Sequence, residues 1–590
     1  MMSTQTTDMS DVDDDFVVPK RWGLILALYL AGIAMGALDM GIVNPARTVI
    51  QNSLGVGEQL GVWVFTIYTL AYAAAIPIIG KVADLIGRKP VYVLAIGLFG
   101  LGSIGCGLAQ DFDSFGLLLA ARVVQAIGGG GMMPVATAAV GTIVPPTKRG
   151  MALGLVGMVY GLASVFGGSA GSLVLGIAGA DNWQWIFYIN VPIAIIVVVL
   201  GIWALPKQEQ PDERKLDLVG IMLVVVLITS LLWAFQHLNF IDIGTSIGTP
   251  NVWVGLLLFL VLGPIFWVWE TRQKDPVIDV RLFATLPLAS TVLIAAITGV
   301  LMMTVMFIPQ FAENSMRLPA GAGGYPTILI GLSSGIGAPI SGKLTDKLGP
   351  RFVLGMGVVI SAVAGLMFIF WASPYPGIWS AAIAIFMMGF GLGFLMGAPL
   401  TYLILHLVPE RDSNSGQATL SLIRSLGTTL APAILVGLLA TAMGGLGEKV
   451  MAAMPPFGPA SAQMGQMDMP AELMDTVKTA DVTTIVDRSK ELASYMFDTQ
   501  ASAMDEKLAG SPQPVQQEAR AALEQARTDY LAEIDARAPE IETAFQLALN
   551  EGFARLFWFY TLCSLAGIAL LFGIPSKRTI DAQIAANAGE

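Results

Sequence analysis

The sequence predicts an all-α integral membrane protein with fourteen transmembrane helices in a six-two-six arrangement. An extracytoplasmic α-helical insert precedes the last helix. Three observations predict this fold class: a series of long apolar runs, a short block that occurs twice, and positive charge confined to alternate connectors. The composition agrees, because 55% of the 590 residues are hydrophobic and 13% are charged, whereas soluble domains carry about 25% charged residues.

Each of fourteen apolar runs is long enough to cross a bilayer, which takes about 20 residues in a helix. The runs begin near Trp22, Gly61, Pro90, Phe112, Met151, Trp183, Val219, Val252, Leu286, Ala322, Phe352, Gly377, Gln417 and Phe553. The acidic segment before the first run lacks the basic start and cleavage site of a signal peptide. We therefore expect the first run to be retained as a membrane anchor.

A short block occurs twice. Pro77–Lys89 returns as Pro339–Arg351, and both copies place Gly, Lys, Asp and Gly at the same spacing. The copies close the second and the tenth apolar run, and internal repeats of this kind indicate a duplicated membrane fold. Runs one to six and nine to fourteen are therefore the predicted equivalent halves, and runs seven and eight are an inserted pair.

Charge in the connectors predicts the orientation. The connectors after even-numbered runs hold fifteen Lys and Arg residues, whereas the short connectors on the other side hold only Arg47 and Arg317. The positive-inside rule then places both termini and the basic connectors in the cytoplasm. We expect a multi-pass protein of the plasma (inner) membrane.

The net charge of −11 is concentrated before the last run, where residues 448–551 hold 18 acidic and 8 basic residues. Apolar residues there recur at helical spacing. Gly510–Pro512 separates two helical stretches, and Pro539 should break or kink the second.

The predicted domains are a cytoplasmic tail (1–20), a six-helix bundle (21–205), a linker with the inserted pair (206–284), five helices of a second bundle (285–443), the extracytoplasmic insert (444–552), the last helix (553–575) and a cytoplasmic tail (576–590).

Asp39, Arg122 and Arg424 are charged residues inside predicted spans, and Asp39 is predicted to lie midway along the first of them. An ionised carboxylate in lipid is unfavourable, so Asp39 must be paired, hydrated or protonated. It is either a proton-coupling acid facing a central cavity or a permanently paired structural acid. An arginine that lies beside Asp39 in one conformation only would favour proton release there and proton binding in the other conformation, which would tie proton binding to a conformational change. Alternatively, both arginines brace helix ends through carbonyl groups. Gln310 and Glu313 close the ninth run, and Glu313 is either a second titrating acid or a solvated helix-end residue.

Several segments resemble motifs of the major facilitator superfamily, and in particular of its fourteen-helix drug:proton antiporter branch. Gly80–Lys89 resembles motif A, and Arg122–Gly128 resembles motif B. Leu38–Pro45, Trp183–Pro192 and Leu422–Gly427 resemble that branch's motifs in the first, sixth and thirteenth helices. The resemblance covers both halves but not the insert.

The resemblance implies the major facilitator fold, in which two six-helix bundles rock around a central cavity, and it places Arg122 near that cavity. It also implies that motif A forms a latch favouring the outward-facing state, with Asp84 capping the positive end of a neighbouring helix. The alternative is that its basic residues only obey the topology rule. The expected latch residues of motif A and its repeat are Gly80, Asp84, Gly87, Arg88, Lys89, Gly342, Asp346, Gly349 and Arg351.

Three departures from the family pattern are visible. Leu85 stands where motif A has Arg, and Gln184 stands where the sixth-helix motif has Arg. The antiporter motif of the fifth span normally contains a Pro, which is missing here. The glycines of that span suit close helix packing, and they are Gly157, Gly161, Gly167, Gly168 and Gly171.

From the resemblance we expect a secondary active transporter that exports hydrophobic or amphipathic small molecules and is coupled to protons. Its expected partners are membrane lipids, the substrate and protons, with an extracytoplasmic protein at the insert as an open option. The missing Pro and the large insert keep open a lipid or glycolipid exporter whose insert guides the cargo. A non-transporting receptor or scaffold is the remaining alternative.

The sequence predicts no enzyme, no cofactor, no metal site and no nucleic-acid partner. Phosphate-binding glycine loops and nucleophile elbows are missing, and no basic patch suggests nucleic acid. The segment Met464–Met469 holds thioethers that suit copper(I), but Met also fills irregular apolar surfaces. His237 and His406 are far apart in the sequence and form no cluster.

Overall fold

A computed structural model of the chain describes residues 21–43, 46–56, 58–61, 63–145, 148–207, 217–238, 243–273, 275–278, 285–318, 325–409, 412–443, 446–456, 485–508 and 511–580. The described residues form helices joined by turns and short connectors, without strands. The first predicted tail, the end of the second and the Met464–Met469 segment lie outside the described residues.

The first half consists of six long helices. They are α1 (Trp22–Ile42), α2 (Trp63–Ile86), α3 (Arg88–Asp111), α4 (Phe115–Ile143), α5 (Arg149–Ala178) and α6 (Asn190–Ala204). Short helices Arg47–Ser53 and Glu58–Gly61 connect α1 to α2, and Trp185–Tyr188 precedes α6. Local chemistry sets some boundaries: the Ser114 hydroxyl accepts a hydrogen bond from the Leu117 amide at the start of α4, as N-cap serines do.

The inserted pair is α7 (Leu218–His237) and α8 (Pro250–Arg272), and a short helix, Ile243–Ile247, lies between them. The Asp217 carboxylate caps α7 by accepting a hydrogen bond from the Gly220 amide at 2.9 Å. It also accepts one from the Trp269 indole of α8 at 2.8 Å. One carboxylate therefore both starts α7 and joins it to α8.

The second half begins with five long helices. They are α9 (Leu286–Thr304), α10 (Tyr325–Leu348), α11 (Pro350–Met367), α12 (Ile378–Met396) and α13 (Ser413–Met443). Helix Ile308–Asn314 continues the line of α9, and Pro399–Leu407 follows α12. Gly397 ends α12, and Pro399 opens the next helix at a position that needs no amide donor.

The insert contains a short helix, Leu446–Ala453, and two long ones, α14 (Ile485–Leu508) and α15 (Gln513–Ala536). The last helix, α16 (Ala538–Leu570), runs for 33 residues. α15 ends at Ala536 and Pro539 lies in the first turn of α16, so the helix breaks there as the sequence predicts. α16 begins 15 residues before Phe553, the predicted start of the last span. The reason is packing, because the start of α16 buries Ile541, Phe545 and Leu549 in the same core as α14 and α15.

Thirteen helical segments among the described residues are long and apolar enough to cross a membrane. α10 is the remaining helix of the predicted fourteen, and its 24 residues equal the length of α2. Many Gly and Ser residues, together with Lys343, Asp346 and Lys347, make α10 less apolar than its equivalent. Its position as the repeat of α2, rather than its hydropathy, is consistent with the predicted total of fourteen spans.

Each half has its own core. Tyr29, Tyr92 and Phe99 lie in a buried cluster of the first half. The corresponding cluster of the second half contains Phe368 and Phe557, whose rings stack with centroids 4.0 Å apart. Buried residues of α14 and α15 belong to that second cluster, so the insert packs on the second half.

The halves meet along two helix pairs, α5 with α10 and α2 with α13. A Cβ on Gly154 of α5 would lie 2.6 Å from the Ala338 carbonyl oxygen of α10. On the other seam, residues of α7 share a buried cluster with α2 and α13, and the rings of Trp63 and Trp233 lie 5.3 Å apart. The inserted pair therefore covers the α2–α13 seam.

The two ends of the bundle differ in chemistry. We call the end that carries both copies of the repeated block the basic end, and the end that carries α14 and α15 the insert end. Exposed ion pairs lie on the surface of the insert, including Arg520 with Asp505 at 2.8 Å. The Tyr530 hydroxyl donates a hydrogen bond to the Pro455 carbonyl at 2.8 Å, and burial raises the pKa of Tyr530 to about 12, which keeps this donor protonated.

Candidate functional site

Asp39 lies three residues before the end of α1, and its side chain is fully buried. This position is closer to the insert end than the mid-span position that the sequence predicts, because α1 ends at Ile42. α1 packs against α4 and α5 around it. The carboxylate is therefore held within the first half, one turn from the end of its helix.

Three side chains donate hydrogen bonds to the Asp39 carboxylate. Arg122 reaches Oδ2 at 3.0 Å, while Gln125 and Asn190 reach Oδ1 at 2.9 and 3.0 Å. Gln125 also donates to the Ser103 hydroxyl at 2.9 Å. We call these five residues the Asp39 network; they come from α1, α3, α4 and α6 and are all buried.

Several groups besides Asp39 contact the Arg122 side chain. Its guanidinium donates to Gln125 Oε1 at 2.7 Å and to the Val64 carbonyl at 3.4 Å. It also lies 4.0 Å from the centroid of the Tyr68 ring, a cation–π distance. The structure thus brings Asp39 and Arg122 together, as a buried ion pair with satisfied hydrogen bonds. Both predicted roles of Asp39, coupling acid and structural acid, remain compatible with this pairing.

The sequence does not identify Gln125 and Asn190 as site residues, although both lie in the motifs of the fourth and sixth helices. The signal that could have found them is an amide side chain inside an apolar span, since a buried amide needs partners. Cys106 lies beside the network, with Sγ 3.8 Å from Gln125 Oε1.

The other sequence-predicted cavity residues are not joined to Asp39. Arg424 lies on α13 in the second half, and its electrostatic neighbours are Tyr72 and Tyr160. Gln310 is exposed and Glu313 is half-buried, on helix Ile308–Asn314. Every hydrogen bond that Asp39 receives within the described residues comes from its own half.

At the basic end, Asp84 of α2 reaches across to the second half. Its carboxylate accepts hydrogen bonds from the backbone amides of Asn414 and Ser415, at 3.1 and 2.8 Å, in the first turn of α13. The side chains of the same two residues donate as well. A carboxylate at a helix N-terminus is stabilised by free amides and by the helix dipole.

Asp346 makes the equivalent contact in the opposite direction, from the second half to the first. Its carboxylate, on α10, accepts hydrogen bonds from the backbone amides of Gly150 and Met151, at 2.8 and 3.1 Å, in the first turn of α5. Each copy of the repeated block therefore caps a helix of the other half. We call the Asp84–α13 and Asp346–α5 contacts the twin caps.

Glycines of the repeated block permit these contacts. A Cβ on Gly80 would collide with Ala418 of α13, and a Cβ on Gly342 would collide with the Gly150 carbonyl of α5. Gly87 and Gly349 have φ angles of 95° and 87°, which side chains rarely adopt. These two glycines turn the chain sharply from α2 into α3 and from α10 into α11.

The basic residues of the block divide between the halves. Arg88 crosses to the second half and donates to the Ser413 hydroxyl at 2.7 Å. Lys89 stays in the first half and donates to the Leu205 carbonyl at the end of α6 at 2.8 Å. Arg351 lies 5.9 Å from the Phe572 ring in its own half. Arg88 therefore bridges the two halves, whereas Lys89 meets the negative end of a helix dipole in its own half.

The fifth-span glycines line two helix crossings. A Cβ on Gly157 would lie 3.0 Å from the Gly397 Cα, and one on Gly161 would lie 3.3 Å from the Ser334 hydroxyl. A Cβ on Gly167 would lie 2.6 Å from the Leu38 carbonyl of α1. Gly171 is buried on the same helix. A Cβ on Gly168 would meet no atom within 4 Å, so that position does not need glycine for space.

Replacing Gly342 with Ala should obstruct closure of the basic end. The new Cβ would meet backbone atoms of Gly150 and Met151, which cannot rotate away, and overpacking of this kind costs about 1–3 kcal/mol. We expect transport in proteoliposomes to fall about tenfold. Gly168→Ala is the matched control, because its Cβ has free space, and its rate should stay unchanged. Equal rates for both variants would contradict a functional close approach at Gly342.

Side chains that could hold a metal do not converge in the described part of the chain. No group of three or more His, Cys, Asp or Glu residues occurs within those ranges. His237 and His406 each contact a carbonyl of their own helix, at Trp233 and Tyr402.

The geometry defines a class first: a multi-pass integral membrane protein whose two helical halves are linked by reciprocal caps at one end. The chain belongs to the Major Facilitator Superfamily, whose family model matches residues 29–432. The expected major facilitator fold is thereby confirmed.

Three relatives extend this assignment. The chain is 34% identical over 435 residues to an uncharacterized MFS-type transporter, YfiU, of Bacillus subtilis, covering 73% of this chain and 82% of that protein. It is 29% identical to multidrug resistance protein 3 of the same organism, covering 73% and 80%. It is also 27% identical to a triacylglyceride transporter of Mycolicibacterium hassiacum, covering 79% and 88%.

A solved structure shows the same fold. The human organic anion transporter MFSD10 (TETRAN) aligns over 70% of this chain and 93% of its own, with a TM-score of 0.51 and 13% identity. At that identity the likeness concerns the fold alone.

Proposed function

We propose that this chain is a secondary active transporter that exports hydrophobic or amphipathic small molecules by alternating access, coupled to protons. The observation that carries the proposal is the pair of twin caps, in which Asp84 and Asp346 join the halves reciprocally. These hydrogen bonds can break without unfolding either half, so they support a basic end that closes and reopens.

Proton coupling is proposed to pass through Asp39. In the conformation described, its carboxylate is paired with Arg122 at 3.0 Å. A proton can bind Asp39 when that pair loosens in another conformation, because the neutral acid no longer needs the guanidinium. Proton binding and bundle movement would then be linked within the first half.

The topology proposed for this function follows the positive-inside rule. The basic end and both tails lie in the cytoplasm, and residues 444–552 lie outside the plasma membrane. Lipids surround the bundle, and the insert offers an acidic surface to an extracytoplasmic protein. The name of multidrug resistance protein 3 supports drugs as cargo.

Lipid export is the second candidate. The triacylglyceride transporter aligns over 79% of this chain. An apolar cavity of about 560 Å³ also opens on the second half at the basic end, between α10, α11 and α16, with Leu348, Phe352, Val359, Ile568 and Phe572 among its lining residues. A cavity of this kind suits an acyl chain. A receptor or scaffold remains the outcome if nothing is transported.

The test is transport by the purified protein in proteoliposomes under an imposed pH gradient. We expect movement of an uncharged apolar dye that stops when a protonophore collapses the gradient. Movement of labelled triacylglyceride or phospholipid, but not of the dye, would replace the first candidate with the second. If neither cargo moves above the rate of protein-free vesicles, the transporter proposal is wrong and the scaffold alternative is favoured.

A further inference from the structure

Arg424 lies deep in the membrane span. It is the twelfth residue of α13, which places it about 16 Å along the helix from the basic end at 1.5 Å per residue. This depth is close to the middle of a hydrocarbon core about 30 Å thick. Arg424 is only 8% exposed.

The Arg424 guanidinium has no carboxylate partner within the part of the chain that the structure describes. Its Nε is buried without a hydrogen-bond partner. The buried carboxylate of the first half, Asp39, is already paired with Arg122. The carboxylates between the halves, Asp84 and Asp346, cap helices at the basic end. One of the two intramembrane arginines is therefore neutralised by the protein and the other is not.

The neighbours of Arg424 come from the opposite half. Tyr72 of α2 packs in the same cluster as Leu422 and Leu426 of α13, and Tyr72 and Tyr160 of α5 are the tyrosines within electrostatic reach of the Arg424 charge. The Tyr72 ring stacks against Tyr68, with centroids 5.9 Å apart. The Tyr68 hydroxyl is also buried without a hydrogen-bond partner. Arg424 of the second half therefore faces Tyr72 and Tyr160 of the first half, and Tyr68 lies between Tyr72 and Arg122.

The position of Arg424 on α13 is fixed by close packing. A Cβ on Gly299 of α9 would collide with the Arg424 carbonyl oxygen, and a Cβ on Gly427 would collide with the Ala296 carbonyl. α9 and α13 therefore cross in contact at this residue. The guanidinium cannot be carried far towards water unless these helices separate.

An unpaired guanidinium in the membrane interior is unfavourable, and it requires an anion or water. Its planar fork of donors matches a carboxylate or a phosphate in a bidentate arrangement. The tyrosine rings beside it offer apolar surface for the rest of a ligand, and their hydroxyls offer additional donors.

We propose that Arg424, with Tyr72 and Tyr160, binds the anionic head group of an amphipathic cargo. The head is a carboxylate or a phosphate, and the apolar body lies against the aromatic rings. This inference rests on the proposed transport function and names the class of its cargo. Binding of such a head supplies the counter-ion that the protein does not supply.

The first test compares head groups on the unmodified protein in a neutral detergent. The probes share a twelve-carbon chain and carry a carboxylate, a phosphate, a methyl ester or a trimethylammonium group; acetate and inorganic phosphate carry the head alone. Because hydrogen bonds to a charged group are strong, we expect the carboxylate or the phosphate probe to bind at least about tenfold more tightly than the ester. Comparing the affinities of the carboxylate and phosphate probes shows which of the two head groups the site prefers. Equal or tighter binding of the ester or the cation would overturn the inference.

The second test removes the charge. Arg424→Gln should abolish the preference for the anionic head, and Arg424→Lys should retain part of it, because a lysine keeps the charge without the planar fork. Arg317→Gln is the matched control, since Arg317 pairs with Glu542 on the exposed insert end, and it should keep the full preference. Unchanged preference in Arg424→Gln would assign the anion to another site.

The outcome is separable from that of the proposed function, because binding is measured without a gradient. Proton-driven transport of neutral dye combined with no preference for anions would leave the function intact and defeat this inference. Arg424-dependent anion binding without transport of any probe would keep the site and defeat the transporter proposal. If Arg424→Gln does not fold, the head-group series on the unmodified protein decides the question alone.

Discussion

Replacing Asp39 with Asn should reduce transport driven by a pH gradient to the rate of protein-free vesicles. Asn has nearly the same shape as Asp but cannot bind or release a proton, so a transporter coupled through Asp39 loses its link to the gradient. Exchange of cargo between the two sides, which needs no net proton movement, should persist. The measurement compares gradient-driven flux with cargo exchange in the same proteoliposomes.

The Asp39 variant needs a control for folding. Removing one partner of a buried ion pair costs about 3–5 kcal/mol, because Arg122 keeps its charge in a buried position. The double variant Asp39→Asn/Arg122→Gln removes both charges and should recover most of the lost thermal stability while remaining uncoupled. If either variant transports cargo with undiminished coupling to the pH gradient, Asp39 is a structural acid and the coupling lies elsewhere.

Removing both twin caps, with Asp84→Ala and Asp346→Ala together, should shift the protein strongly towards a state that is open at the basic end. Each capping carboxylate is worth about 1–2 kcal/mol. Losing both would change the ratio of open to closed forms by roughly 30-fold to 700-fold. We expect uncoupled or strongly slowed transport, because the closed form is then rarely populated.

Spin labels on equivalent exposed positions can measure this shift. Ile86 and Leu348 end α2 and α10, and they are 53% and 47% exposed. In a background with Cys106 and Cys563 replaced by Ala, the distance between labels at these two sites should lengthen in the double variant. The control is Asp217→Ala, which also removes an N-cap but within the inserted pair. An unchanged distance in the twin-cap variant would show that these contacts do not set the equilibrium.

Much of the fold was predictable because it depends on local composition and on repetition. Apolar runs of bilayer length form helices, since only helices satisfy their own backbone hydrogen bonds in lipid. The duplicated block predicts that α10 crosses the membrane even though its glycines and serines weaken its hydropathy. Helix α16 begins 15 residues before Phe553, the predicted start of the last span, and the sequence alone does not show this, because it shows where apolar character begins and not which neighbours a helix packs against.

The site was predictable in its charged members and not in its neutral ones. Asp39, Arg122 and Arg424 are conspicuous as charges in apolar spans. Gln125 and Asn190 carry no charge, and their role depends on hydrogen bonds that join distant parts of the chain. Within the described residues Arg122 is paired with a carboxylate and Arg424 is not, and this difference could not be deduced from either residue's own surroundings in the sequence.

The sequence by itself determined the class of protein, the order of its helices and the pseudo-symmetry of its halves, since these follow from hydropathy, charge placement and repetition along one chain. The tertiary structure alone decided which charges meet. Asp84 and Asp346 each cap a helix of the opposite half, and Asp39 is paired within its own half. The physical reason is that hydrogen bonds and ion pairs act over about 3 Å, whereas the residues that make them here are separated by 83 to 331 positions.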